Sequence, residues 1–309
     1  MVKRTLINIM FFYVRLIRNL EQKIGRFLPK KTQKNLRIWV HRHVVNKIKY
    51  DLQTTKMVSD NSVLLTHPQQ GLEHNVVWIF WWDISNMSFL VERNIQQARK
   101  VFGKRLIVLT KQNILDYLKI DEKILNQVDR NIGIQVFSDY VRVSLLYVYG
   151  GLWMDSTVWV EKDPVNIGKI YTAKSQDKFN SKFVPSGRWS IYLLGGDSRK
   201  EVFKFVSDSL YKYLDGHLDI PDYFLTDYIF SIAYDNNIGG FRSEINQLPE
   251  LNPDIEILAK FQDYKYSDHL WKDMTLNTDF FKLSNKSKPD KYKSESFYNV
   301  ITSKGTNLL

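Results

Sequence analysis

The sequence predicts an α/β fold, a mixed sheet flanked by helices and preceded by a basic helical segment, on three observations. After residue 60 short apolar runs alternate with amphipathic stretches, the strand–helix–strand grammar of such a sheet. The hydrophobic share is 44% of 309 residues, enough to bury a core and to exclude intrinsic disorder. Charge is segregated: the chain is +11 overall, yet residues 1–50 hold thirteen Lys or Arg against a single acid, Glu21, which leaves the remainder close to neutral. That separation excludes a basic surface spread over the whole protein, and with it a nucleic-acid partner.

Residues 1–60 form the basic segment. Arg4, Asn8, Arg15, Arg18, Gln22 and Arg26 gather on one side of a helical wheel, with Ile9, Tyr13, Leu16, Leu20, Ile24 and Phe27 on the other. The apolar stretch Leu6–Val14 is far shorter than the roughly 18 residues of a spanning helix. No small-residue cleavage site follows it, so a signal peptide is not expected. The pattern suits a helix lying on an anionic membrane surface through residues 1–50, where each cation contributes about 1 kcal/mol. Its competitor is a helix packed on the protein's own core with a solvated basic face.

Residues 61–295 carry the alternating elements. Val76–Trp82 reads as a buried strand, Phe89–Phe102 as a helix, Arg105–Thr110 as a second strand and Asp121–Gln127 as a short helix. Ser138–Tyr149 reads as a helix capped by Ser138 and closed by Gly150. A strand over Leu152–Val160 follows, then a strand at Trp189–Leu194 and helices at Arg199–Leu214 and Asp222–Tyr234. Residues 296–309 are expected to be a tail.

With no cysteine, the chain has no disulfide, thiolate metal site or cysteine nucleophile. It also lacks a phosphate loop, a dinucleotide fingerprint, an H-E-x-x-H pair and a G-x-S-x-G elbow. One dense segment remains, FSDYVRVSLLYVYGGLWMDSTV over residues 137–158. Asp155 follows three large apolar residues, where a strand leaves the core and opens into a crevice. A carboxylate there suits a hard divalent cation, Mn²⁺ or Mg²⁺, whose shell substrate phosphates complete. Thr157 lies on the same side of an extended strand, where it can supply the metal a hydroxyl or a water-bridged contact. Asp139 and Arg142 share a helical face, where they could hold a sugar or nucleotide, or each other.

This segment resembles the sugar-binding, DXD-containing signature of the glycosyltransferase family 32 group, in particular its capsular polysaccharide synthesis branch, in which S-D-x-x-R, G-G and an aspartate recur in this order. The resemblance extends over roughly residues 60–290. It implies a GT-A type fold, a nucleotide-sugar donor, a divalent metal on Asp155 and retention of configuration. Asp139, Arg142, Gly150 and Gly151 are then donor-binding residues, and Phe80 and Trp81 line the base pocket. Asp227 stabilises the oxocarbenium ion or binds acceptor. Two departures stand out. Thr157 replaces the second acid of D-x-D, and Phe281-Lys282-Leu283 stands where the branch shows His-Lys-Leu. Lys282 remains able to neutralise phosphate, and Asp279 is a candidate substitute metal ligand. The implied donor is a UDP-sugar, with galactose or glucose leading. The implied acceptor is a polyprenyl-diphosphate-linked saccharide at the inner face of the cell membrane, which places the protein peripherally in the cytoplasm. A non-catalytic, membrane-attached scaffold is the alternative that the altered D-x-D leaves open.

Overall fold

In the computed structural model, β1 (Val77–Phe80) has no exposed residue, as an uninterrupted VWIF run requires. The structure describes residues 12–14, 16–19, 23, 27–55, 72–73, 75–128, 133–164, 167–174, 183–215, 218–284 and 293–304. From β1 the chain passes through α2 (Phe89–Phe102), which Ser88 caps by accepting from the Val91 N–H and Gly103 closes at φ 55°. It returns as β2 (Leu106–Leu109), parallel to β1. α3 (Glu122–Val128) and α4 (Ile134–Tyr149) then lead to β3 (Gly151–Met154), parallel to β1 on its other side. The sheet is completed by β5 (Ile170–Thr172) and β6 (Leu193–Gly196) in the order β2-β1-β3-β6-β5, with β6 antiparallel to both its neighbours. β4 (Val158–Val160) pairs instead with β7 (Phe280–Lys282) in a separate antiparallel ribbon.

One large apolar cluster joins one side of the sheet to α4, α5 (Glu201–Asp215) and α6 (Leu225–Asp235), and a second lies under α2. A third gathers β7, α9 (Asp268–Met274) and α10 (Phe297–Lys304). Between α6 and α9 run α7 (Phe241–Gln247) and α8 (Ile257–Phe261). The α/β class is as expected, but the boundaries shift, most clearly in four places. α4 begins a turn earlier, after Gly133, because Phe137 is fully buried and continues the packed stripe; Ser138 is interior to it, not its cap. The expected strand over Leu152–Val160 is broken by a turn, with the Val158 N–H donating to the Asp155 carbonyl at 2.8 Å. Trp189–Tyr192 is a loop, and β6 starts only at Leu193. The expected tail over 296–309 supplies α10, whose Phe297, Tyr298 and Ile301 are buried; residues 305–309 lie outside the described residues.

α1 (Lys30–Thr54) buries Val40, Val44 and Ile48 against the body and is tied to α6 by His41 Nδ1 and the Tyr228 hydroxyl, 2.7 Å apart. Buried Asp51 accepts from Lys47 at 2.5 Å and from the Tyr213 hydroxyl at 3.1 Å. Ile38 and Trp39 on the other face are exposed. Much of the helical-wheel expectation for residues 4–27 lies outside the described residues, although Phe12, Tyr13, Leu16 and Phe27 are exposed and Arg18 pairs with Asp222. Among the described residues no helix is long and apolar enough to cross a membrane.

Candidate active site

β1 lies between its two parallel partners, so the chain leaves its C-terminal end toward β2 on one side and reaches β3 on the other. Open sheets bind ligands in the crevice such a switch creates. Here the crevice is a cleft of about 980 Å³, lined at the end of β1 by Phe80, Trp81, Trp82 and Asp83 and at the end of β3 by Asp155.

Asp155 is placed by backbone on both sides. Its N–H donates to the Tyr192 carbonyl at 2.9 Å, extending the β3–β6 ladder, and buried Asn94 donates to the Ser156 carbonyl at 2.9 Å and pins the turn. Its carboxylate is surrounded by donors. Oδ1 accepts from Arg142 Nη2 and Trp153 Nε1, both at 2.9 Å, and Oδ2 accepts from Lys282 Nζ at 3.3 Å. Lys282 Nζ also donates to the Thr157 hydroxyl. Burial pushes the Asp155 pKa up, but Lys282, Arg142 and the Trp153 indole outweigh it and hold the carboxyl below its ordinary value.

The opposite wall is drier. Asp227, in the first turn of α6, is 6% exposed and accepts from Trp189 Nε1 at 3.2 Å. Burial, and then the neighbouring charge of Asp139, push it up to about 7 despite the indole bond and Arg142. Asp139 accepts from the Thr226 hydroxyl at 2.6 Å, and Arg142 Nη1 lies 2.9 Å from its Oδ1. Burial raises Asp139 too, against the opposing pull of Arg142 and Thr226. The Arg142–Asp139 contact is ionic without hydrogen-bond alignment, so Nε and Nη1 of a 5%-exposed guanidinium have no hydrogen-bond acceptor among the described residues. The guanidinium nonetheless lines the cleft, and its charge favours an anion there.

Phe80, Trp81, Asp139, Arg142, Asp155, Thr157, Asp227 and Lys282 therefore meet in one cleft. Gly150 and Gly151 do not line it. They sit at the opposite end of β3, where a Cβ on Gly151 would stand 2.1 Å from the Val76 carbonyl and Gly150, at φ 71°, presses on the backbone of Gly196 and Ser198. Their work is close backbone approach. Asp279 also lies apart. Its carbonyl accepts from the Glu161 N–H at 2.7 Å at the far end of the β4–β7 ribbon, three residues or about 10 Å along an extended strand from Lys282. Sequence reasoning missed Trp153, Trp189, Tyr192, Thr226 and Asp83, all of which line the cleft. Asp83 had a readable signal, since it follows the apolar run of β1 as Asp155 follows that of β3. The loop residues had none.

The donor set does not fit a divalent cation. Both Asp155 oxygens already accept from cations, the Thr157 hydroxyl accepts from Lys282, and Asp279 is out of reach. No group of three or more His, Asp or Glu that could hold a metal ion occurs among the described residues. A metal between Asp155 and Thr157 would have to displace an ammonium and sit beside a guanidinium.

A family model described as capsular polysaccharide synthesis protein matches residues 23–301. No curated protein matches. Among the solved structures that match is one described as PaToxG glycosyltransferase, at 13% identity and a TM-score of 0.39, covering 70% of this chain and 83% of that one.

Proposed function

This chain belongs to the capsular polysaccharide synthesis protein family, and from that premise we propose that it is a glycosyltransferase of GT-A type. It moves a hexose, galactose or glucose, from a UDP-sugar to a polyprenyl-diphosphate-linked saccharide, with retention of configuration. The observation that carries this reading is the convergence of Asp139, Arg142, Asp155 and Lys282 beside Asp227 at the switch point of the sheet.

Arg142 and Lys282 neutralise the diphosphate as charge builds on it, the electrostatic part of catalysis. Asp155 holds both cations in place. The bond between the sugar's C1 and the diphosphate oxygen breaks, and its electron pair leaves on that oxygen. The acceptor hydroxyl oxygen bonds to C1 from the same face, and its proton passes to the departing diphosphate. Asp227 stands across the cleft to bind acceptor or stabilise the oxocarbenium ion, and Phe80 and Trp81 offer aromatic surface to uracil. Incubating the full chain with a panel of nucleotide sugars and following diphosphate release tests the reading. One donor should be consumed well above the rest, and faster with a lipid-linked saccharide present. A flat response across all donors would leave only a scaffold.

The exposed Phe12, Tyr13, Leu16, Phe27 and Trp39, with exposed Lys30, Lys31 and Lys34 beside them, support a second part of the proposal, that the N-terminal region rests on anionic lipid at the inner face of the membrane. Replacing the three lysines together by Gln should weaken partitioning onto phosphatidylserine vesicles about a hundredfold, at about 1 kcal/mol per charge. Unchanged partitioning would sink this part.

A further inference from the structure

We propose that the Lys282 ammonium occupies the position expected of a divalent metal and is the site's resident cation, so that the donor's diphosphate is bound without a metal ion; this rests on the transferase reading above. Lys282 Nζ bridges Asp155 Oδ2 and Thr157 Oγ1, side chains of the two positions that the D-x-D spacing would offer a metal. The backbone that carries Lys282 is fixed by sheet register. β7 pairs Lys282 with Val158, the Lys282 N–H donates to the Ile255 carbonyl at 2.7 Å, and the Leu283 N–H donates to the Thr157 carbonyl at 2.9 Å. The head group lies 5.2 Å from the Tyr192 ring centroid, and the side chain is 26% exposed, so the cleft reaches it.

The Thr157 departure from D-x-D chemistry then fits the cation beside it. A threonine offers the ammonium an uncharged acceptor, so one carboxylate serves two cations, Lys282 and Arg142. A second acid at 157 would restore the charge a divalent ion needs. An ammonium has three donors; two are spent on Asp155 and Thr157, and the third is available to a phosphate oxygen in the cleft.

Titration of the full-length protein with inorganic pyrophosphate in excess EDTA tests this independently of base and sugar. Wild type should bind. Lys282→Met should weaken binding about tenfold to a hundredfold, the worth of a hydrogen bond to a charged group, while Lys282→Arg keeps most of it. Manganese added alone should give no protein-bound signal in electron paramagnetic resonance. Failure to bind pyrophosphate in EDTA, indifference to Lys282→Met, or a bound manganese signal lost in Asp155→Asn would each overturn the proposal. Donor turnover separates the two readings. Turnover that requires manganese removes the ammonium model and leaves the transferase. Lys282-dependent pyrophosphate binding with no donor consumed in either buffer removes the transferase and leaves the cation site.

Discussion

Asp155 and Asp227 face the same cleft and are the same side chain, yet their surroundings drive them in opposite directions. Asp155 sits on a turn where Lys282, Arg142 and an indole N–H outweigh burial, and it stays ionised through the physiological range. Asp227 sits on a wall where its hydrogen bond comes from an indole and the charge acting on it most strongly is another carboxylate, and its pKa climbs to about 7. Two carboxyls pushed apart by environment take different roles. The first is a fixed anchor that organises cations; the second is a group whose charge depends on pH.

The largest effect expected is at the anchor. Asp155→Asn leaves a hydrogen-bonding isostere but strips the charge that holds Lys282 and Arg142, so donor turnover should fall about a hundredfold to a thousandfold, as on removal of a preorganised electrostatic group. Far-UV circular dichroism should not change. If turnover survives, the anchor assignment goes, and with it the contrast.

Asp227→Asn tests the opposite wall through stability. Its folded pKa is raised above the unfolded value, so from about pH 4 to about pH 7 the folded state keeps a proton that the unfolded state has lost, and wild-type stability falls as pH rises. Above about 7 the penalty is constant. Unfolding free energies of the variant from urea titrations between pH 4 and 8 should overtake wild type across that window by a few kcal/mol. Asp155 has the reverse sign, its contribution being lost only as pH falls below about 4. Parallel curves for wild type and Asp227→Asn would erase the difference between the walls.

How far each wall could be read from the chain follows the same division. The anchor was legible because its information is local: an apolar run ending in Asp155, with Thr157 two residues on and Asp139 and Arg142 one helical turn apart. α2 was legible for the same reason, its Ser88 cap and Gly103 stop lying next to the periodic stretch they bound. What the pattern could not carry was anything set by long-range packing. The turn at Asp155–Val158 diverts β4 to a strand more than a hundred residues away. The Asp227 environment is made by Trp189, 38 positions distant, from a loop that reads as a strand. Gly150 and Gly151 misled in the other sense, because a glycine pair beside a ligand motif looks like ligand contact when the tight neighbour is the Val76 backbone.

The smallest effect is the most discriminating, because one kind of substitution can be made on both walls. Trp153 Nε1 donates to Asp155 at 2.9 Å and Trp189 Nε1 donates to Asp227 at 3.2 Å, so Trp→Phe at either position deletes one indole donor and keeps an aromatic ring. At Trp189 the lost bond favoured the ionised acid. Its removal should carry the neutral-range inflection in stability upward by up to about one pH unit, at a cost near 1 kcal/mol. At Trp153 the carboxylate still has Lys282 and Arg142, so between pH 5 and 8 the profile should keep its wild-type shape. Two profiles that shift together would mean that burial sets both groups and the cations at Asp155 count for little. Two that stay put would mean that the indole is no part of what holds Asp227 near neutrality.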